Sequence, residues 1–419
     1  MKAEVRREAA AIWRIESAKL IAMLVRLVRD VGLAEEIAQD AFVDALVRWE
    51  QAGIPENPGG WLMTAAKHRA IDVLRRARRF EKKREELAGE SESVAAADDA
   101  VEVVGDDLLR LMFVACHPVL TQESRVALTL RLLGGLSTDE IARAFLVTEP
   151  TIAQRITRAK RTLSEKNVAF ELPSTEDLAT RLESVLEVIY LVFNEGYTAT
   201  TGDDWMRPGL CDDALRLGRV LAELTPGESE VHALVALMEI QASRARARRG
   251  PDGAAVLLPD QDRTLWDWVL IRRGLDGITR AEELVKGQPG PYLLQAAIAA
   301  CHARARTAAE TDWAKIAALY AALSALAPSP IVELNRAVAV SRVFGAEEAL
   351  KIVDHIADEP SLREYPFLPS VRADLLAKLG RYAEARLEIQ RAVSLTDNRR
   401  ERDALLSRAA SYGRSSKPS

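Results

Sequence analysis

Residues 124–163 read SRVALTLRLLGGLSTDEIARAFLVTEPTIAQRITRAKRTL, and the spacing of apolar side chains in this stretch decides the fold. They recur every three to four residues, the period of a helix face, and the pattern stops at Gly134-Gly135 and again at Leu146-Val147-Thr148. This predicts an apolar helix, a short helix over 138–145, a tight turn, and a longer helix opening at Glu149-Pro150. Proline is tolerated there because first-turn amides have no helical partner, and Thr148 is a natural cap. Ile141 and Ala142 pack the short helix and Ile152 and Ile156 the longer one, which makes the pair a helix-turn-helix. Thr151, Gln154, Arg155, Arg158, Lys160 and Arg161 spread over faces of a helix that fits a DNA major groove. Phosphate contacts would set its register, with Gln154 or Arg155 reading base edges.

The charge balance extends this reading upstream. The chain's net charge of −5 hides segments of opposite sign: residues 1–84 carry 17 bases and 12 acids, residues 85–107 carry 9 acids and no base, and residues 108–170 return to +4. Two basic modules flanking an acidic strip point to two nucleic-acid contacts. The first module reads as three helices. Ile12, Ile15, Leu20, Leu24 and Leu27 keep helical spacing, and Gly32 is expected to end the first hairpin. A helix over 34–49 buries Ile37, Ala41, Phe42, Ala45 and Leu46 and turns Glu35, Glu36, Gln39, Asp40 and Asp44 outward. After the Pro/Gly loop 53–60 a third helix begins near Trp61 and runs into a basic tail containing Lys67, His68, Arg69, Arg75 and Arg76. Residues 85–105, acidic and rich in Ala and Ser, have the composition of a solvated linker.

A chain of 419 residues suggests about three domains at roughly 150 residues each. Its three cysteines, Cys116, Cys211 and Cys301, are too far apart for a disulfide framework or a zinc site. No window approaches 18 uncharged apolar residues and the start lacks a signal-peptide pattern, so the expectation is a cytoplasmic protein with no membrane segment. Phosphate-loop, zinc-protease and nucleophile-elbow motifs are missing, the five histidines are dispersed, and Cys116-His117-Pro118 lacks two further ligands. No enzyme, cofactor or metal is expected. Beyond residue 172 helices alternate with breaks at Pro208-Gly209, Pro226-Gly227, Gly250, Pro289-Gly290-Pro291, Pro328 and Pro366, a spacing that suits stacked helical hairpins. Ala373, Gly380, Tyr382, Ala385, Ile389, Ala392 and Asp397 follow the 34-residue tetratricopeptide pattern, and Ala337, Gly345, Ala346, Ala349 and Leu350 repeat part of it. The fold class is therefore all-α, with domains at 1–84, 106–170 and 171–419 and a linker at 85–105.

The order of parts resembles a bacterial sigma factor of the extracytoplasmic-function type. The stretch Ala34-Glu35-Glu36-Ile37-Ala38-Gln39-Asp40-Ala41-Phe42-Val43-Asp44-Ala45 is similar to the family's second conserved region, whose helix grips the clamp helices of RNA polymerase. Trp61-Leu62, Ala66, His68, Ala70-Ile71-Asp72 and Leu74-Arg75-Arg76 follow the pattern of the part that melts and holds the −10 element, with His68 where Asn is usual. The helix-turn-helix corresponds to the −35 reader. The resemblance thus implies polymerase contacts at Glu35, Glu36, Gln39 and Asp40. It implies −10 contacts at Trp61, Lys67, His68, Arg69, Arg75 and Arg76, and −35 contacts at Thr151, Gln154, Arg155, Arg158, Lys160 and Arg161. The long tail opening with FNEGYTAT at 193–200 looks like the subgroup with tetratricopeptide-like extensions. Core RNA polymerase and promoter DNA are the implied partners, with a protein or small-molecule ligand of the extension left open. Control in cis is expected through Phe193, Asn194, Glu195 and Tyr197, although Glu195-Gly196-Tyr197 also reads as a plain turn. The alternatives are a helix-turn-helix regulator with a helical sensor domain and a tetratricopeptide scaffold with an incidental basic head.

Overall fold

The structure, a computed structural model, describes residues 2–88, 104–145, 147–198, 206–250 and 256–396, together with 402, 405, 406 and 409. Two compact units divide at Leu191 and Val192. Among the described residues the first unit consists of helices α1 (Lys2–Val28), α2 (Val31–Ala52), α3 (Pro58–Ala88), α4 (Val104–Ala115), α5 (Gln122–Leu132), α6 (Thr138–Phe145), α7 (Glu149–Glu165) and the larger part of α8 (Leu178–Tyr197). The bulk of the expected linker, residues 89–103, lies outside the described residues, as do Leu146 of the tight turn and Asp397 of the repeat pattern.

The local chemistry places each boundary. Asp30 caps α2, its carboxylate accepting from the Leu33 amide at 2.7 Å, so the α1–α2 turn is at Arg29-Asp30 and Gly32 falls inside the first turn of α2. The sequence reading put this turn at Gly32. A side-chain cap, together with Arg29 at φ 56, outweighs a glycine as the stop signal here. Thr148 caps α7 as expected, accepting from the Thr151 amide. α1, α2 and α3 pack on one another, with the Trp13 and Phe42 rings 4.7 Å apart, and α1 also packs against α4 and α5. Ion pairs fasten this second contact: Asp107, 3 % exposed, holds Arg26 of α1 at 3.2 Å and Arg110 at 2.9 Å, and Arg14 of α1 meets Glu140 of α6 at 2.6 Å.

The second unit stacks helical hairpins: α9 (Pro208–Leu224), α10 (Ser229–Ala242), α11 (Trp268–Leu284), α12 (Pro291–Arg304), α13 (Trp313–Leu326), α14 (Pro330–Val343), α15 (Ala346–His355), α16 (Phe367–Lys378) and α17 (Tyr382–Ser394). Successive helices pack pairwise, and α10 on α12 and α14 on α16 continue the stack. Proline opens α9, α12 and α14, where its missing amide costs nothing. The repeat positions read from the sequence fill the core: Ala337, Ala349, Ala373, Ala385, Ile389 and Ala392 are all fully buried. Gly345 and Gly380 turn the chain at φ 93 and φ 77.

Gly135 is where the helix-turn-helix meets α1 most closely. It sits at φ 69, and a Cβ there would lie 2.8 Å from Ser17 Oγ and 3.2 Å from Arg14 Cα. We expect Gly135→Ala to destabilise the chain by about 1–3 kcal/mol through strain and clash together. Urea unfolding checks this, and an unchanged midpoint would show that the turn does not bear on α1.

Candidate polymerase and nucleic-acid interface

The helix-turn-helix presents one clear polar stripe. Ile152, Ile156, Ala159 and Leu163 bury one face of α7, which leaves Gln154, Thr157, Arg158 and Arg161 exposed on the other, at i, i+3, i+4 and i+7. Arg161 pairs with Glu165 at 2.6 Å on the surface, a contact that solvent screens and DNA can displace. Thr151 and Arg155 are half-buried at the edge of the stripe, and the positive charge of Arg155 is among the influences that hold the Glu123 carboxyl below its usual range, behind that group's own backbone and Thr121 hydrogen bonds.

Lys160 does not belong to this stripe. Its ammonium pairs with Glu35 Oε2 of α2, while Arg131 of α5 reaches Glu35 Oε1 at 2.6 Å and Gln39 donates to the same oxygen. Glu35 is 3 % exposed. The sequence reading turned it outward with Glu36, Gln39 and Asp40. Taken alone, α2 has a polar face there, but α5 and α7 cover that face at Glu35 and supply the cations that make burial tolerable. Glu36 and Asp40 are exposed and Gln39 is half-buried.

The basic face of α3 carries Lys67, His68, Arg75 and Arg76, all exposed. Arg69 is engaged instead, reaching Asp44 at 2.6 Å and Asp40 at 3.0 Å on α2, and its guanidinium is held more firmly charged, chiefly by the hydrogen bond to Asp44. Trp61 is half-buried, its ring edge-on to buried Trp49 with centroids 5.7 Å apart and the Arg48 guanidinium 5.8 Å above it. Asn57 fixes the loop before it by accepting from the Gly60 amide at 2.9 Å.

In α8, residues on either side of the unit boundary do different things. Arg181 donates to the carbonyl of Phe113 at 2.7 Å, Ser184 donates to the carbonyl of Cys116 at 2.6 Å, and Arg125 of α5 meets Glu187 at 3.0 Å. These bonds stitch α8 onto α4 and α5 and close over Cys116, whose thiol is raised to about 11 by burial. Phe193, Asn194, Glu195 and Tyr197 form the last turn of α8 rather than a turn between helices. Phe193 is fully buried and stacks on Tyr197 with centroids 5.6 Å apart, Asn194 is half-buried, Glu195 pairs with Arg207, and Arg248 lies 3.5 Å over the Tyr197 ring. Arg131, Arg14, Asp107 and Arg181 escaped the sequence reading, since their partners lie on other helices and no local pattern marks them.

Residues 14–80 match a family described as Sigma-70 region 2, residues 110–163 match Sigma-70, region 4, and residues 181–282 match a family of unknown function (DUF6596). An uncharacterized protein of Rhizobium meliloti is 45 % identical over 387 residues, covering 90 % of this chain and 89 % of that one. A probable ECF RNA polymerase sigma factor SigI of Mycobacterium tuberculosis is 28 % identical over 43 % of this chain and 66 % of its own length. An ECF RNA polymerase sigma factor SigK of Mycobacterium sp. (strain KMS) is 28 % identical over 35 % of this chain and 76 % of its own. No solved structure matches.

The buried carboxylate supplies a test of the interface. Removing it with Glu35→Ala leaves Arg131 and Lys160 partly buried without their anion, and we expect a loss of about 2–4 kcal/mol. Glu36→Ala on the exposed side of the same helix should stay within about 0.5 kcal/mol. Equal chemical-denaturation midpoints for the two variants would contradict the arrangement.

Proposed function

We propose, from the premise that this chain belongs to the sigma-70 family as a factor of the extracytoplasmic-function type with a helical C-terminal extension, that its first unit is a closed form which opens on core RNA polymerase. A factor of this kind binds core polymerase and directs promoter recognition without itself being a catalyst. Exposed Glu36 and Asp40 and half-buried Gln39 of α2 are assigned to polymerase. The exposed α3 cations, with Trp61 as an aromatic wall, are assigned to −10 DNA, where unstacked bases need a cationic track and an apolar surface. Gln154, Arg158 and Arg161 are assigned to the −35 element.

The observation that carries this reading is the Glu35–Lys160 contact between the polymerase-facing helix and the −35 helix. The two promoter elements lie about 25 base pairs apart, or roughly 85 Å along B-form DNA. A compact unit of 191 residues has a radius of gyration of only about 16 Å. The packed modules cannot occupy both elements at once, so initiation requires the α1–α2 contacts with α4–α7 to be exchanged for contacts with polymerase and DNA. The fifteen residues between α3 and α4 have a covalent reach of about 50 Å, enough to permit the exchange. The extension acts on this balance through α8, whose bonds to α4 and α5 complete the −35 module.

Run-off transcription with purified core polymerase tests the reading. The full-length chain should give promoter-dependent transcript, and a chain cut after residue 172, verified to be folded, should lose most of it. Tight promoter binding by the full-length chain alone with no transcript on adding core polymerase would overturn the sigma assignment. A truncated chain as active as the whole would overturn control by the extension.

A further inference from the structure

The second unit contains a cavity of about 660 Å³ between α13 and α14. Two helical stripes build its walls. Trp313, Ile316 and Tyr320 stand at i, i+3 and i+7 on α13, and Asn335, Val338 and Arg342 repeat that spacing on α14, so each set shares one face. Ile316 and Ala339, both part of the buried core beneath, form the floor. His302 at the end of α12 and Arg263, in the short helical turn ahead of α11, also line it, with residues 257–259, 308, 309 and 311 closing the rim.

The charge of this lining has one sign: two arginines and no Asp or Glu. Arg263 is anchored, its Nη1 donating to the carbonyls of His302 and Ala305, both at 2.7 Å, with its guanidinium 4.4 Å from the Trp266 centroid. Burial and then the nearby Arg244 disfavour its charge, Glu310 offsetting part of this. His302 is neutral at pH 7, pushed down to about 4 by burial first and then by Arg244 and Arg263. Arg342 is exposed, 5.3 Å from the Trp313 centroid, and pairs with no carboxylate among the described residues. A cavity whose charged lining is cationic accommodates an anion, and Trp313 and Tyr320 offer flat apolar surface beside it.

We propose that this cavity binds a small organic anion with a planar apolar body, an aromatic carboxylate being the simplest member of the class. The carboxylate meets Arg342 and Asn335, and the ring lies against Trp313 and Tyr320. The volume belongs to the range of about 300–1,000 Å³ typical of small-molecule sites, which favours such a ligand over an extended peptide. The proposal stands independently of how the first unit works.

Isothermal calorimetry on the full-length chain tests it with indole-3-acetate and its neutral counterpart indole-3-ethanol. The acetate should bind one to one, at least about tenfold more tightly than the alcohol, because only the anion gains the charge-assisted bonds. Arg342→Gln, at an exposed position, should bring the acetate down to the level of the alcohol while leaving thermal unfolding and the alcohol's affinity unchanged. Equal affinities for the two probes, no heat up to about 5 mM of the acetate, or an Arg342→Gln chain that binds the acetate as before would each overturn the proposal.

Discussion

The carboxylate of Glu35 holds the first unit together. An anion that has lost its water costs several kcal/mol unless cations replace the lost hydration, and here two do so from two different helices, Arg131 on α5 and Lys160 on α7. The geometry of the unit follows from that requirement. The side chain of Glu35 on α2 thus meets α5 and α7, and nearby the Gly134-Gly135 turn comes down onto α1 where a side chain has no room. Around this centre the Arg14–Glu140 and Arg26–Asp107 pairs fix the register of α1 against α6 and α4. These pairs are polar and partly exposed, and they add to the packing of α1 on α4 rather than replace it.

That balance suits a protein whose surfaces are needed elsewhere. Lys160 pairs with Glu35 and lies on the helix proposed for −35 DNA, while Arg69 pairs with Asp40 and Asp44 and lies on the helix proposed for −10 DNA. Each of these cations has a carboxylate partner that a phosphate or a polymerase residue can replace. The second unit is a continuous apolar stack. Small residues such as Ala337, Ala349, Ala373 and Ala385 let its helices pack closely, and its stability comes from apolar burial that binding events leave intact.

Much of this was readable from the sequence because it depends on local chemistry. The boundaries of α6 and α7, the cap at Thr148 and the repeat unit around Gly380 follow from periodicity and turn residues within a few positions. The exposed stripe on α7 was legible for the same reason, since Ile152, Ile156 and Leu163 define the opposite face. What escaped depends on contacts between distant segments. Glu35 looks like any acidic residue on an amphipathic helix until residues 96 and 125 positions away come beside it. Asp107 read only as the last acid of the strip 85–107, at the start of the −35 module, yet it is buried between two arginines. Glu195-Gly196-Tyr197 read as a turn between helices, whereas α8 runs through it to Tyr197, whose ring stacks on buried Phe193.

The central claim is that the free chain is closed and that polymerase opens it. Pulsed electron-electron resonance between nitroxide labels at Gln51→Cys on α2 and Ser164→Cys on α7, both exposed positions, measures this directly in the full-length chain. The three native cysteines are buried and leave the labelled sites selective. The account predicts one short distance in the free chain and a lengthening of more than about 20 Å when core polymerase and promoter DNA are added, as the spacing of the two elements demands. A distance that is the same free and bound would contradict it.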